Sequence, residues 1–496
     1  MLGRVGRCVL LAALAAASVG LVAACRNDRV ASAGAAAPII TSVTIAPNPT
    51  NAVSGIVIVT ATDADSARVV YWVEGEPASA TPYSAVRDGG AKIATLGLRP
   101  NAAYSEVVEV VGAGGTALSH RLPLQTGDLP QPLQGVRLEI TGTPPPSPGY
   151  VVTEVSIDTD AFVVAFDSSG RVGWYRRFAA GPGEFAMETK QHPGGHFTTF
   201  VGSTYGWQPT YGRYYEFTPD GEILRTYTAS APYYTDPHEL LLNDASSGPL
   251  PDPVHLIGYD FRPEDLTALG GRANQLVAGH TILRQSASGA VLFRWSAWDH
   301  FSLADWIFVP PNLAQLPSID FDHPNSLAID RDGNYVVSFA SLGEITKIDA
   351  VTGEMVWRLG GRHNQFTIVG DPLGGFGFQH DVRLLENGDL LFFDNGLRHT
   401  PPQSRAVQYR LDLRAMTATL VWEYRHDPPL FTPFVGSVER DRNGNTLIGF
   451  AAAALITEVT PAGQVMWEGR LTVGGRPVDF FYRARRLRSL YEYLEP

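Results

Sequence analysis

The chain has 496 residues and a formal net charge of −12 at pH 7. It is too long for one ordinary domain and long enough to bury a large core. Its acidic balance argues against a nucleic-acid partner, because phosphate contacts need clustered Lys and Arg. Its only lysines are Lys92, Lys190 and Lys347, so the phosphate loop GxxxxGK is absent.

Residues 1–25 read as an export signal. Arg4 and Arg7 precede an apolar run that ends in small residues. The sequence Val-Ala-Ala-Cys at 22–25 resembles a bacterial lipobox, which implies a lipid-modified Cys25 as the mature N-terminus. Ordinary secretion with an unmodified Cys25 is the alternative. The only other cysteine is Cys8, so no structural disulfide is expected.

The signal predicts an exported bacterial protein, periplasmic or held on the outer membrane by its lipid anchor. No later apolar run reaches the ~20 residues of a membrane-spanning helix. The membrane contact is therefore expected to be the lipid alone. Residues 26–37 are small and polar, as in a tether.

Residues 38–127 show short alternating strands separated by turn residues, which predicts a small β-sandwich. The predicted strands cover 42–45, 56–60, 67–73 and 104–111. The stretch from Leu98 to Tyr104 resembles the loop and tyrosine of a fibronectin type III module. This domain shows no catalytic constellation.

Residues 128–496 repeat one unit six times: an extended run, a turn that usually contains Gly, and a second run that commonly ends near Trp. The copies lie at 162–174, 215–221, 282–295, 345–357, 407–422 and 456–467. Asp-Gly or Asn-Gly turns at 332–333, 387–388 and 443–444 mark a second hairpin in three of the repeats.

Two hairpins per repeat predict four-stranded blades, so the fold class is all-β with a six-bladed β-propeller. The tryptophans are suited to the interfaces between blades. The third repeat is longer, and its stretch near 247–275 is predicted to form a loop over one face. A group of aromatic residues precedes it, and either a pocket for flat rings or core packing accounts for them: Trp207, Tyr211, Tyr214, Tyr215, Tyr233 and Tyr234.

Three histidines, His238, His323 and His380, stand at the start of the innermost strand of three repeats. Equivalent positions in a toroidal repeat point to one axis, so these imidazoles are predicted to meet in one pocket. The matching positions of two other repeats lie near Met187 and Gly436. Three imidazoles can supply a nucleophile, a proton donor and an anion ligand, or can bind a metal.

The residues around two of these histidines resemble the arylsulfate sulfotransferase family. His380-Asp381 is followed by Leu384, Asn387-Gly388 and Phe393-Asp394-Asn395-Gly396. His323-Pro324-Asn325-Ser326 leads to Trp357-Arg358-Leu359-Gly360-Gly361. The resemblance covers most of 130–470, and the family shares the layout of a fibronectin-like domain ahead of a six-bladed propeller.

The resemblance implies a sulfotransferase that works without a nucleotide donor (PAPS), a cofactor or a metal. His380 would take a sulfuryl group from an aryl sulfate as a sulfohistidine, and a phenolic acceptor would then remove it. His238 and His323 match the family's sulfate-binding and proton-transfer histidines. Asn325 and Asn395, which lie in the matching motifs, and Arg398 are predicted to bind substrate.

One departure from the family stands at Ala340. The family places an arginine there, in a Ser-x-Arg setting, and its loss would remove an oxyanion ligand worth about 2–4 kcal/mol in the transition state. Arg398 is the candidate to replace that charge, and an exposed loop arginine is its alternative interpretation. This departure predicts a divergent member of the family, which has weak activity, uses another donor or has no activity.

Two other functions stay open at this point. A zinc or copper site could use the three histidines with Asp322 or Asp381. However, each aspartate adjoins a histidine and should point away from it along a strand. A non-catalytic, lipid-anchored binding module is the second alternative. The sequence does not set the donor, the acceptor or a homo-oligomeric state.

Overall fold

A computed structural model describes residues 34–142, 149–203, 212–242, 254–286 and 288–491. The predicted signal, the lipidation site Cys25 and residues 26–33 of the tether lie outside these residues. The described residues are all-β: they contain strands and short 3-10 turns and no α-helix. No helix in this part of the chain has the length and apolar character needed to cross a membrane.

Two compact units divide the chain. The first takes in residues 34–45 of the described chain with Val57–Ile93 and Ala103–Leu124, and the second takes in Ala46–Ile56, Ala94–Ala102 and the chain from Gln125 onward. The strands up to residue 125 are β1 (Ile39–Pro47), β2 (Gly55–Thr62), β3 (Ser66–Val73), β4 (Ser79–Ala80), β5 (Ser84–Ala85), β6 (Gly90–Thr95), β7 (Ala103–Gly112), β8 (Gly115–Leu118) and β9 (Leu122–Gln125).

These nine strands form two sheets in the described chain. One has the order β1-β2-β6, and the other has the order β4-β3-β7-β8 with β5 and β9 added to it. Apolar side chains alternate along β2, and Val57 and Val59 are buried with Val69 and Val108. The four strands predicted for this region are therefore confirmed as strands.

The second unit contains the remaining strands. They are β10 (Val136–Gly142), β11 (Tyr150–Ile157), β12 (Asp160–Phe166), β13 (Val172–Ala179), β14 (Phe185–Gln191), β15 (Phe197–Gly202), β16 (Gly212–Phe217), β17 (Ile223–Tyr227), β18 (Tyr234–Leu242), β19 (Val254–Glu264), β20 (Gln275–Gln285), β21 (Val291–Ser296) and β22 (Ser318–Asp320). They continue with β23 (Pro324–Ile329), β24 (Tyr335–Phe339), β25 (Glu344–Ile348), β26 (Met355–Gly360), β27 (Thr367–Val369), β28 (His380–Leu384), β29 (Leu390–Asp394), β30 (Arg405–Asp412), β31 (Thr417–Arg425), β32 (Ser437–Arg440), β33 (Thr446–Phe450), β34 (Leu455–Val459), β35 (Val465–Val473), β36 (Arg476–Pro477) and β37 (Arg485–Leu487).

Within the described residues these strands form six sheets, each built on four strands that pair antiparallel with their neighbours. Sheet 1 is β37-β11-β12-β13, sheet 2 is β14 to β17, sheet 3 is β18 to β21, and sheet 4 is β23 to β26. Sheet 5 is β28 to β31, and sheet 6 is β32 to β35 with β10 as its outer strand. The chain's last strand, β37, thus completes sheet 1, and its early strand β10 extends sheet 6.

The hairpins read from the sequence are present. Each of the six repeated copies is the hairpin formed by the third and fourth strands of one sheet, as in β25-β26 and β34-β35. The Asp-Gly and Asn-Gly turns join the first two strands of sheets 4, 5 and 6, and their glycines have φ near 85°. That left-handed conformation is the reason for glycine there.

The long loop expected near 247–275 is wrong for residues 254–264, while residues 265–274 are a connection with one 3-10 turn. Residues 254–264 are the strand β19, which pairs with β20 along its whole length. The run Val-His-Leu-Ile after residue 253 is buried in the sheet. Packing of these side chains favours a strand here, although Pro and Gly lie nearby.

The tryptophans pack between sheets, as the repeat pattern predicts. Trp174 of sheet 1 stacks on Phe197 of sheet 2 at 5.3 Å between ring centroids. Trp295 of sheet 3 lies 5.6 Å from Phe339 of sheet 4. Burying such rings between neighbouring sheets supplies much of the apolar contact that each sheet lacks alone.

The first strands of successive sheets contact one another, in the order β14, β18, β23, β28 and β32. The C-terminal segment closes the series between sheets 6 and 1. The backbone N–H of Ala484 donates to Ser437 Oγ at 3.0 Å, while β37 pairs with β11. The second unit therefore depends on its last residues for closure.

Arg483 lies among these inner strands and is 1% exposed. It pairs with the carboxylates of Glu188 and Glu239, and its Nη2 donates to the carbonyl of Asn325 at 2.7 Å. Its Nε lies 3.4 Å from Asp381. A single guanidinium thus links the inner strands of sheets 2, 3, 4 and 5.

We expect Arg483→Met to destabilise the fold by about 3–5 kcal/mol, because it leaves buried carboxylates without their cation. Urea unfolding followed by tryptophan fluorescence measures this loss. The control Arg177→Ala removes a pair with Asp160 whose arginine is 56% exposed, and should cost less than about 1 kcal/mol. Equal effects of the two substitutions would contradict the central role of Arg483.

Candidate active site

The three histidines predicted to converge do converge. His238, His323 and His380 line one cavity of about 240 Å³ at the start of the inner strands. The ring centroids of His238 and His323 are 4.7 Å apart, and those of His323 and His380 are 6.1 Å apart. His323 is the middle ring, so a group the size of a sulfate can contact it together with either neighbour.

Irregular pairing explains how these side chains reach the cavity. The inner strand of sheet 3 shifts register after Thr235, that of sheet 4 after Pro324, and that of sheet 5 after His380. Such bulges change the direction of side chains and are frequent beside active sites. His323 and Asp381 also have φ of 47° and 56°, a left-handed conformation that costs non-glycine residues about 1–3 kcal/mol.

The tautomer of His380 is set by Asn395. The amide nitrogen of Asn395 donates to the carbonyls of Thr432 and Val435 at 2.7 and 2.8 Å, so its Oδ1 is free to accept. His380 Nδ1 lies 2.7 Å from that oxygen and 3.1 Å from the carbonyl of Phe378. Both neighbours are acceptors, so the ring hydrogen sits on Nδ1 and the lone pair of Nε2 is left to the cavity.

Burial keeps this imidazole neutral. Desolvation, together with the nearby charges of His323 and His238, lowers the pKa of His380 to about 3. A neutral ring is the form of histidine that can attack an electrophile. His380 therefore has the protonation state, the tautomer and the exposure to the cavity that a nucleophile requires.

His323 has the opposite environment. Its Nδ1 lies 2.5 Å from Asp320 Oδ2, and its backbone N–H donates to Asp320 Oδ1. Burial alone would disfavour the imidazolium, but the Asp320 carboxylate outweighs it and raises the pKa of His323 above its usual value. His323 is thus suited to carry a proton and a positive charge next to the neutral His380.

His238 is held in the same way as His323. Its Nδ1 lies 2.9 Å from Asp236 Oδ1, and its backbone N–H donates to the same oxygen at 2.8 Å. The three histidines therefore differ in their Nδ1 partner: a carboxylate for two of them and an amide for His380. In the sequence, this difference is marked by an aspartate two or three positions before the histidine: Asp236 before His238 and Asp320 before His323. Neither aspartate is among the site residues predicted from the sequence.

The predicted substrate-binding residues lie elsewhere. Asn395 positions His380 from behind, and Asn325 is buried with its Nδ2 donating to the carbonyl of Gln379. Arg398 is exposed, and its aliphatic carbons cover Gly377. None of the three lines the cavity. Contact of these three residues with substrate stays a prediction.

The cavity offers no arginine in place of the one that the family resemblance predicts at position 340. Ala340 is fully buried, and its N–H donates to the carbonyl of His323 at 2.9 Å. Among the described residues that line the cavity there is no Arg or Lys, and Asp320 is the one carboxylate. Any positive charge offered to an anion here comes from imidazolium.

Aromatic rings form much of the remaining cavity wall. They are Phe185, Tyr259, Phe261, Phe434, Phe480 and Tyr482. None of the aromatics singled out from the sequence is among them: Tyr214, for instance, is buried and donates to the carbonyl of Asp236, while Trp207 and Tyr211 lie outside the described residues. The aromatic residues that do line the cavity come from β14, from β19, from the connection before β32 and from the C-terminal segment, which sequence spacing does not connect.

Asp322 and Asp381 point away from the histidines, as expected for neighbours on a strand. Asp322 accepts from His280, and Asp381 binds Arg485. In the described chain, the group with three metal-ligating side chains close together is His280, Asp320 and Asp322. His280 Nδ1 acts there as a donor to Asp322 at 2.7 Å, which a metal-binding nitrogen cannot do.

Comparison with known proteins gives one family. The model of that family, described as arylsulfotransferase (ASST), matches residues 207–472. This span contains the three cavity histidines. No curated protein matches the sequence.

Solved structures are similar to the chain only at low identity. A protein of unknown function from Bacteroides caccae is 15% identical, with 69% of this chain and 100% of that chain covered and a TM-score of 0.42. A streptogramin B lyase is 13% identical, with 68% and 88% covered and a TM-score of 0.34. A catalytically inactive virginiamycin B lyase from Staphylococcus aureus is 10% identical, with 71% and 97% covered and a TM-score of 0.33.

We expect His380 to stay neutral, with its hydrogen on Nδ1, from about pH 8 down to about pH 4, because its pKa lies well below that of a free imidazole. Histidine-labelled protein followed by ¹⁵N NMR measures both the tautomer and the titration. His380→Gln assigns the signal by its disappearance, and His323→Gln serves as the control. A His380 signal that titrates near pH 6.5 would contradict this geometry.

Proposed function

Because the chain belongs to the arylsulfotransferase family, we propose that it transfers a sulfuryl group from an aryl sulfate to a phenol through a covalent adduct on His380. The observation that carries the proposal is the pairing of a neutral His380, with its Nε2 lone pair toward the cavity, and a carboxylate-held His323 one ring away. A nucleophile and a proton donor with opposite pKa shifts are the two groups that such an exchange requires.

In the first half-reaction His380 Nε2 attacks the sulfur of the aryl sulfate. The N–S bond forms while the bond from sulfur to the phenolic oxygen breaks, and its electron pair leaves on that oxygen. His323 gives its proton to the departing phenolate. The product is a sulfohistidine whose ring retains the Nδ1 hydrogen bonded to Asn395.

The second half-reaction reverses these roles. His323, now neutral, takes the proton of an acceptor phenol as its oxygen attacks the sulfur. The N–S bond breaks and its electrons return to Nε2 of His380. The aromatic walls of the cavity suit the flat rings of both substrates. The aryl sulfate and the acceptor phenol bind one after the other in the same place.

Charge on the sulfuryl oxygens is met by imidazolium in this proposal. By analogy with phosphoryl transfer, catalysis rests on positioning and on donors aimed at the moving group. His323 and His238, held at Nδ1 by Asp320 and Asp236, present their Nε2 edges to the cavity. These two histidines replace the arginine that the family resemblance predicts at the position of Ala340.

The architecture that we propose for this activity is a six-bladed propeller formed by the six sheets of the second unit. A fibronectin type III-like sandwich precedes it. We also propose that the protein is exported and anchored through Cys25, on the strength of the lipobox resemblance. In a Gram-negative host, the site would then act in the periplasm or on the outer membrane.

The first test is the intact mass of the protein after brief exposure to p-nitrophenyl sulfate. We expect a gain of about 80 Da, the mass of SO₃, in the parent protein and none in His380→Ala. His255→Ala is the matched control, because His255 is a buried histidine bonded to Tyr335 outside the cavity. A folded parent that gains no mass and releases no nitrophenol would favour the non-catalytic binding module.

A second test uses the partner of the proton donor. Asp320→Asn should lower the pKa of His323, so that less of it is protonated at neutral pH. We expect sulfate transfer from phenyl sulfate, whose phenolate is basic, to fall about 10²–10⁴-fold. Transfer from p-nitrophenyl sulfate should fall much less, because its leaving group departs without a proton.

The control for this test is Asp349→Asn, at a half-buried turn position that does not line the cavity. It should change neither rate. In the parent protein, the first half-reaction should also slow as the pH rises through the elevated pKa of His323, because the donor proton is then lost. Equal losses with both donors in Asp320→Asn would show that His323 does not protonate the leaving group.

A further inference from the structure

His280 lies directly behind the cavity and takes no part in the exchange described above. It is on β20 and 1% exposed, and it does not line the cavity. Its Nδ1 donates to Asp322 Oδ1 at 2.7 Å. Asp320 Oδ1 lies 3.9 Å from the same nitrogen. On the other edge of the ring, Nε2 lies 3.5 Å from Asp236 Oδ2.

Two of these carboxylates hold the cavity histidines. Asp236 binds Nδ1 of His238, and Asp320 binds Nδ1 of His323. A single imidazole therefore lies between the two groups that orient the anion-binding rings. No cavity histidine has His280 as a direct hydrogen-bond partner in the described structure.

We propose that His280 is a positioning residue: a buried cation, bonded to Asp322, that offsets the negative charge of Asp236 and Asp320 behind His238 and His323. The proposal rests on the proposed function for its consequence in sulfate transfer, but not for its electrostatics. Three carboxylates next to a cavity would repel an anionic aryl sulfate. A positive charge among them removes much of this repulsion while leaving both cavity histidines their partners.

The charged and titratable groups around His280 come from several elements. They are Asp236 on β18, Tyr259 on β19, Asp320 on β22, and Asp322 with His323 at the start of sheet 4. Burial disfavours the charged ring, but the carboxylates of Asp322, Asp320 and Asp236 outweigh it and raise the pKa of His280 well above its usual value. Burial also raises the pKa of Tyr259, so its phenol stays neutral.

His280 has a measurable effect on its neighbour. Its positive charge lowers the pKa of His323, while Asp320 raises it. Removal of His280 must therefore shift the titration of His323 upward. A residue that served only to fill space would leave this titration in place.

The experiment is His280→Gln in the full chain, with ¹⁵N-histidine NMR of the unliganded protein. We expect the pKa of His323 to rise by about one unit. The matched control is His255→Gln, since His255 is buried in the same sheet, bonded to Tyr335 and outside the cavity. It should lower stability to a similar degree and leave the titration of His323 unchanged.

A second measurement needs no variant. In the wild-type spectrum at neutral pH, the histidine whose signal is lost in His280→Gln should show hydrogens on both ring nitrogens and keep them up to a higher pH than the others. Absence of such a histidine, or an unchanged His323 titration in folded His280→Gln, would overturn the proposal. Stoichiometric metal in the purified protein would overturn it as well, because a metal-bound His280 cannot be the cation.

Kinetics then give the consequence for transfer. In His280→Gln, the alkaline limit of the first half-reaction should move up by the same amount as the His323 titration, and KM for the aryl sulfate should rise about tenfold. If the wild-type protein forms no adduct, the proposed function fails while the NMR arms still decide the role of His280. If the adduct forms and neither the titration nor the pH limit moves, this inference fails alone.

Discussion

The ion pairs of Arg483 hold the residues on which the site depends. Three of its acidic partners, Glu188, Glu239 and Asp381, are each the next residue after a cavity residue: Met187, His238 and His380. The bulges in the inner strands send one side chain of each pair to the cavity and the other to the guanidinium. Fixing the carboxylates therefore fixes the backbone of the histidines. The site depends in this way on residue 483, far along the chain and beyond the matched family span.

The chemical difference among the three histidines comes from what lies behind each ring. Asp320 favours the charged form of His323, whereas Oδ1 of Asn395 accepts a hydrogen from His380 and adds no charge. The same residue type thus supplies a neutral nucleophile and a charged donor within 6.1 Å. Because burial strengthens each of these interactions, small differences in partner produce large differences in pKa.

A cavity without arginine must balance its charge in another way. The described lining has a single carboxylate and no Arg or Lys, so an anion must rely on imidazolium. Imidazolium needs carboxylates behind it, and carboxylates next to an anion need a further cation. His280 sits where that cation is required, with Asp236, Asp320 and Asp322 around it. From the cavity inward, imidazole rings are followed by carboxylates and then by His280. Alternating charges in this way keeps buried ions paired.

The sequence by itself determined the repeated hairpins, the all-β class and the convergence of His238, His323 and His380, because periodic strands and Asn-Gly turns are local signals and repeats place equivalent positions together. Family resemblance also predicted a departure at Ala340. The sequence did not find Asp236, Asp320 or His280 as partners, and it assigned to Arg398 a contact that the structure does not show. Only the tertiary structure decided which histidine is neutral and which aromatic rings form the wall. Hydrogen-bond partners and burial depend on side-chain directions set by bulges and by contacts between distant segments, and a pattern along one chain does not contain that information.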